Sequence, residues 1–235
     1  MDELNFKKET EQIKARYNKR SNLSKDLYNP LKSDVIFRRQ EFERNLINIL
    51  RKNFLYDLSG LKVLEIGCGQ GINLLKFLEL GFKPENIIGN ELLEERVLNA
   101  RKILPSEVTI IEGDALTLKF EPGTFDIILQ STVFSSIINE EFKKRLAEKI
   151  FDLVKPGGGV LWYDFIYNNP NNNDVKGISK RSIKNLFPGT KIYFRKITLA
   201  PPLSRIVARV YPSLYYFFNI FPFLRTHLLC WIQKS

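Results

Sequence analysis

Cysteine and histidine are almost absent from this 235-residue chain. It has two cysteines, Cys68 and Cys230, and one histidine, His227. No C-x-x-C pair occurs, which argues against a disulfide framework or a zinc site and fits a reducing cytoplasm. The stretch Met1-Asp2-Glu3-Leu4-Asn5 lacks a basic-then-apolar pattern, so no secretory leader is expected. No uninterrupted apolar run reaches the ~20 residues of a membrane span. Acids are scarce in one region only. Residues 165–235 hold 11 Lys/Arg and a single acid, Asp174, which accounts for the whole net charge of +10. The first 164 residues balance, with 25 of each sign. A basic final third suggests an anionic partner, whether a membrane surface, a phosphorylated substrate or a nucleic acid; a solvated basic face is the alternative.

The length suffices for one α/β domain with a sizeable core and added helices. One stretch organises it: Val63-Leu64-Glu65-Ile66-Gly67-Cys68-Gly69-Gln70-Gly71. It opens as a short buried strand, turns through three glycines and leads into the helical pattern of 72–78. A strand, a glycine-rich turn and a helix in that order make a nucleotide-cofactor crevice at the strand's carboxyl end. The spacing is G-x-G-x-G. The dinucleotide fingerprint G-x-G-x-x-G places its third glycine where this chain has Ile72, which argues against a hydride-transferring enzyme. Glu65 is poor company for pyrophosphate but suits a cationic ligand. Glu65-x-Gly67-x-Gly69-x-Gly71 resembles the cofactor loop of class I S-adenosylmethionine (SAM) methyltransferases. The resemblance implies that Glu65, Gly67, Cys68, Gly69 and Gly71 line the cofactor, with Cys68 a small side chain that fits there and has no redox role.

Further signals follow in order. Residues 86–91 read as a second strand ending at Glu91, where such folds place an acid that accepts from ribose hydroxyls, followed by Leu92. A helix N-terminal acid is the plainer reading of Glu91. Residues 108–112 read as a third strand, followed by Gly113-Asp114-Ala115. In the family a similar segment holds adenine, which assigns Asp114 to the exocyclic amine and the Ala115 N–H to the ring; an Asp turn is the alternative. Residues 125–130 read as a fourth strand ending at Gln130, and the loop 131–136 would lie beside the transferable methyl. That loop lacks the Asn/Asp-Pro-Pro-aromatic signature of exocyclic base-amine methyltransferases. Nor does the chain show the Pro-Cys pair of cytosine-carbon enzymes. A helix over 140–154, a break at Lys155-Pro156-Gly157-Gly158-Gly159 and a fifth strand over 160–165 complete the resemblance, which covers residues 62–165. It implies a Rossmann-like doubly wound α/β fold: a seven-stranded sheet, mostly parallel with an antiparallel last strand, carrying N-terminal helices and a C-terminal helical, aromatic insertion.

Outside that core, residues 1–27 read as a frayed helix or mobile tail. A helix begins near Ser33, with Phe42, Leu46, Ile49 and Leu50 on its buried face. Residues 1–58 thus form a tail and lid helix, 59–200 the SAM-binding core, and 201–235 an aromatic basic segment with the last strand. Tyr28, Phe37 and Arg38 are candidates for a lid over cofactor and acceptor, or for a helix that only covers the sheet. A short helix over 180–186, a sixth strand over 191–199 and a last strand over 226–233 follow. Leu203–Leu224 is rich in aromatics, flanked by Arg205, Arg209 and Arg225, and broken by Pro212 and Pro222. It reads equally as a membrane-interface segment and as a cap with its aromatic face on the domain.

A narrower resemblance rests on Tyr28-Asn29-Pro30-Leu31, residues 38–40, Trp162-Tyr163-Asp164 with Asn168-Asn169-Pro170, Leu199-Ala200-Pro201-Pro202 and Leu224-Arg225-Thr226-His227. These look like bacterial methyltransferases found with surface-polysaccharide genes. The resemblance implies O-methylation of a sugar or lipid-linked glycan, using SAM and no metal, in the cytoplasm or peripherally at the inner face of the membrane. Nucleic acid ranks behind a glycan as partner. Asp164, at a strand end near the cleft, is the candidate general base, or a carboxylate that braces a loop. Gln130 lines the cofactor and, with Ser131 and Tyr163, could orient the acceptor, beside Tyr28 and Arg38. His227 is expected to be structural. An RNA methyltransferase and a non-catalytic SAM-binding protein remain as rivals.

Overall fold

A computed structural model describes residues 3–21, 29–54, 57–168, 172 and 174–235. Eight α-helices and seven strands are present among them. In chain order they are α1 (Glu3–Ser21), α2 (Ser33–Phe54), β1 (Val63–Ile66), α3 (Ile72–Glu79), β2 (Ile87–Glu91), α4 (Glu94–Ile103), β3 (Thr109–Glu112), β4 (Phe125–Ser131), α5 (Glu140–Leu153), β5 (Val154–Phe165), α6 (Lys180–Leu186), β6 (Lys191–Leu199), α7 (Pro201–Val210), α8 (Leu214–Asn219) and β7 (Arg225–Gln233). The strands form one sheet in the order β3-β2-β1-β4-β5-β7-β6. β1 to β5 pair in parallel, and β7 runs antiparallel between β5 and β6. The order reverses at β1, so β1 and β4 diverge there and open a crevice at their carboxyl ends.

Side chains alternate across the sheet and divide the core in two. Leu64, Ile66, Ile128, Val160 and Trp162 point to the face covered by α5 and α6. Val63, Ile127, Leu129 and Leu161 point to the face covered by α2, α3 and α4. α2 docks there through Phe42, Leu46 and Leu50, all buried.

Three expectations change. Residues 3–21 form a helix, and its Ile13 joins the first core layer. Its polarity hid this, because the docked face is narrow. The fifth strand begins at Val154 rather than after the glycines: β4 pairs with β5 at Val154 and again from Gly159, with a register shift between. The glycines let this bulged stretch pass close to its neighbours. A Cβ at Gly159 would meet the Trp231 ring at 2.5 Å. The segment after β6 forms α7 and α8 with a break at Pro212, and its inner face caps the domain through Val207 and Tyr215. Tyr215 packs on Phe37 with ring centroids 5.2 Å apart, so Phe37 belongs to this cap rather than to a lid. Among the described residues no helix is long and apolar enough to cross a membrane.

Candidate cofactor and acceptor site

The loop after β1 depends on its glycines. Gly67 has φ 64° and Gly69 has φ 57°, conformations that side-chain-bearing residues seldom adopt. A Cβ at Gly67 would stand 2.6 Å from Val133 Cγ2, so the glycine loop touches the loop after β4. Nothing lies within 4 Å of a Cβ built at Gly69. The Gly69 N–H donates to Glu91 Oε2 at 2.8 Å. The other oxygen, Glu91 Oε1, accepts from the N–H groups of Leu92 and Leu93 at 2.9 and 3.0 Å. Glu91 therefore ties the glycine loop to the turn after β2. Each carboxylate oxygen has two lone pairs, and Oε2 has one left for a hydroxyl donor.

Glu65 is 1 % exposed. Its Oε1 accepts from Asn73 Nδ2 at 2.7 Å, and its buried Oε2 has no partner. Burial pushes its pKa up to about 8; the Asn73 hydrogen bond opposes this and the Glu91 charge adds to it. A buried carboxylate with one empty acceptor beside a glycine turn suits a ligand ammonium. SAM carries one, so the residues fit it.

The cleft continues past Gly67, Glu91, Leu92, Asp114 and Ala115. Asp114 Oδ1 accepts from the Leu116 N–H at 2.9 Å, and Oδ2 accepts from the Thr10 hydroxyl at 2.7 Å. That hydroxyl occupies the donor position assigned to the adenine amine. Thr10, Ile13 and Tyr17 of α1 all line the cleft, leaving about 70 Å³. Pockets that enclose a ligand of cofactor size run to roughly 300–1,000 Å³. α1 thus fills the space the cofactor needs. It is held by Arg16, which donates to Glu9 and to the Ser136 carbonyl, and by Glu9 Oε1, which accepts from the Ile138 N–H at 3.1 Å. None of these residues was legible beforehand. The one available hint was Ile13 and Tyr17, spaced one helical turn apart.

Other candidates fall elsewhere. Cys68 is buried beside Gly69, and burial followed by the charges of Glu65 and Glu91 raises its thiol pKa, which keeps it protonated. Gln130 is fully buried; its Oε1 accepts from the Val133 N–H at 3.2 Å and so shapes the loop after β4. Asp164 is 1 % exposed and does not line the cleft. Its Oδ2 accepts from the Ser135 N–H at 3.0 Å and its Oδ1 from the Phe165 N–H at 2.9 Å. Burial raises its pKa to about 7 against the pull of those bonds. In this geometry Asp164 braces a loop. Tyr28 lies outside the described residues.

Ser131, Tyr163 and Arg38 gather at the carboxyl edge. Ser131 pairs with Tyr163 across β4 and β5. The Tyr163 ring stacks on His227 at 5.0 Å and 14°, and its hydroxyl bonds Thr198 Oγ1 at 2.9 Å. Burial raises the phenol to about 12, and the nearby Arg38 charge opposes this. His227 reaches this edge because β7 runs opposite to β5 and so starts where β5 ends; His227 pairs with Phe165. Burial, and then Arg38, hold its pKa near 3, so the imidazole is neutral.

Residues 63–158 match the family described as "Methyltransferase domain". The demethylmenaquinone methyltransferase of Lactococcus lactis is 29 % identical over 109 residues, 45 % of this chain and 42 % of that protein. A phthiotriol/phenolphthiotriol dimycocerosates methyltransferase of Mycobacterium ulcerans is 31 % identical over 132 residues, 55 % of this chain and 47 % of that protein. The chain thus spans less than half the length of these two curated relatives. A SAM-dependent methyltransferase from Mesorhizobium loti superposes with a TM-score of 0.59 at 16 % identity, over 79 % of this chain and 96 % of that one. At that identity the likeness concerns the fold. Sequence match and fold agree in this region: residues 63–158 match a methyltransferase domain, and the sheet around them has the Rossmann-like fold of the superposed structure.

Proposed function

We propose that the chain transfers a methyl group from SAM to an oxygen of an amphiphilic acceptor, a sugar or lipid-linked glycan. The observation that carries the SAM half is the unpartnered Oε2 of Glu65, buried between Asn73 and the glycine turn. An ammonium brought there would favour the ionised carboxylate and bond it in a dry site, where charge-assisted bonds are strong. Glu91 keeps a free lone pair for the ribose, and Asp114 holds its Oδ2 ready for an amine donor once α1 lifts.

SAM supplies an activated methyl on a sulfonium, so the protein's task is placement. Glu65, Glu91 and Asp114 would hold SAM, which would give its methyl to an acceptor oxygen and keep the bonding electron pair on sulfur, the hydroxyl proton passing to solvent. Holding the reacting atoms in line can supply much of the acceleration. Val133 and Ser136 of the loop after β4 line the cleft, and Gln130 and Asp164 hold that loop by accepting from the N–H groups of Val133 and Ser135. Arg38 and Tyr163 are the residues we would assign to the acceptor, from their place at the carboxyl edge of β5.

The acceptor half rests on the narrower sequence resemblance, with support from the exposed apolar face of α7 and α8, which suits an amphiphilic substrate. The relatives above are named for a quinone and for a mycobacterial lipid, in keeping with such an acceptor. The test is methyl transfer from labelled SAM into a fractionated extract of the source cells. Label in the lipid-linked glycan pool supports the proposal. Label in RNA would move the reading to phosphate contacts by the basic third, and SAM binding without label anywhere would leave a non-catalytic SAM-binding protein.

A further inference from the structure

We propose that α7, α8 and an arginine-lined cavity beside them form one docking surface for an anionic lipid bilayer, with a phosphodiester headgroup seated in the cavity. The inference is independent of methyl transfer.

Its first basis is the outer face of the cap. On α7 Ser204, Val207 and Ala208 are buried, while Arg205, Ile206, Arg209 and Val210 are exposed. The spacing lays a cationic stripe directly beside an apolar one. Past Pro212 the apolar stripe widens: Phe217 is 54 % exposed, Ile220 65 % and Phe223 72 %. Ring centroids of Phe217 and Phe221 lie 5.7 Å apart and those of Phe221 and Phe223 5.6 Å, so the patch is continuous. Exposed apolar patches of this kind mark interaction sites, and aromatic rings next to arginines match the depth profile of a headgroup region. Residues 201–235 contain no acid, which favours a negative surface over a mixed protein face.

The second basis is the cavity, about 280 Å³ between α2, β6 and α8. Arg44, Arg195 and Arg225 line it, and Tyr216 and Ile220 join it to the aromatic patch. Arg44 and Arg195 are exposed and have no carboxylate partner among the described residues. Arg225 is committed to the carbonyls of Asn219 and Lys196. The one acid in the lining, Glu41, is occupied: it accepts from the Thr198 N–H, the Tyr215 hydroxyl and Asn219 Nδ2. Two buried acceptors, Asn45 Oδ1 and Asn219 Oδ1, have no partner. Two guanidinium groups without a carboxylate partner, that of Arg44 set over the Tyr216 ring at 6.0 Å, and two amide oxygens for hydroxyls describe a glycerol-phosphate headgroup. Tyr216 and Ile220 of α8 line the cavity and are themselves exposed, so apolar insertion and headgroup capture share these residues.

The test is co-sedimentation of the full chain with vesicles of phosphatidylcholine alone or mixed with phosphatidylglycerol. Binding is expected to the mixed vesicles and to fall as salt rises. Each arginine near an anionic surface contributes about fivefold in partition, so R44Q/R195Q should bind about twenty-five-fold more weakly. K119Q/K144Q, which removes two exposed charges elsewhere, should bind within about twofold of the parent. F217S/F223S should lose most binding at every salt concentration. Equal binding to both vesicle types, or equal losses in the two charge variants, would overturn the proposal. Soluble glycerol 1-phosphate titrated into the protein separates the sources. If it binds with the same arginine dependence while vesicles do not, the cavity serves a free phosphate ester and the bilayer assignment falls.

Discussion

The Thr10 hydroxyl donates to Asp114 Oδ2 at 2.7 Å, joining α1 to the turn after β3. It takes one of that oxygen's two lone pairs and sets α1 in the cleft beside it, where an adenine amine would approach. Ligand and helix therefore compete for the space beside this carboxylate.

T10V removes the competing donor and keeps the side-chain shape. SAM affinity is expected to rise by about fivefold, the equivalent of about 1 kcal/mol for one hydrogen bond. Isothermal titration calorimetry measures it. Weaker binding would show instead that the hydroxyl contacts the bound ligand.

Glu65 makes stability depend on pH. Its folded pKa, about 8, lies above the ordinary 4.5. The folded chain thus holds a proton that the unfolded chain releases, and stability falls as pH rises from about 4.5 through about 8. E65Q should remove that slope and be more stable than the parent at high pH, by an amount on the order of a few kcal/mol, with the difference shrinking toward pH 5. The same variant should bind SAM much more weakly, because an amide cannot ionise against the ligand ammonium. Urea unfolding at several pH values checks the first half; identical pH slopes in both proteins would count against it.

D164N should unfold more easily. Asparagine offers one acceptor where aspartate satisfies two N–H groups, from Ser135 and Phe165. The loss should be about 1–3 kcal/mol. Turnover should fall in step with loop order, without a change in the pH dependence of kcat. Unchanged stability together with collapsed turnover would make Asp164 a participant in the chemistry.

Glu41 anchors the cap. It is 5 % exposed and accepts from β6, from Tyr215 and from Asn219. E41Q places an amide nitrogen against one of these donors and should destabilise the chain by about 2 kcal/mol. Limited proteolysis should then cut at the exposed residues 211–213 between α7 and α8 sooner than in the parent. Equal cleavage rates would mean that apolar packing alone holds the cap.

The parts of the site that sequence conveyed are those whose chemistry is local. The turn Gly67-Cys68-Gly69 is legible because only glycine readily takes its backbone angles. Glu91 and Asp114 are legible because strand ends recur at regular intervals. The direction in which a side chain leaves a strand end is not local. Asp164 stands at the expected end of β5 and turns under the loop, where two N–H groups need an acceptor. His227 stands near the start of a strand that opposes the others, and that reversal brings it to the carboxyl edge. α1 was least legible: its docking depends on Asp114, Ser136 and Ile138, more than a hundred positions away.

The antiparallel β7 sits between β5 and β6 although it follows both in the chain. During synthesis β6 has no sheet neighbour until residues 225–233 have been made. Before then the emerging chain presents three unpaired edges, the open side of β5 and both sides of β6, each able to recruit a strand from another molecule. A ribosome paused after β6 would therefore display an aggregation template, and the finished sheet closes in one step, as a zip closes from its middle.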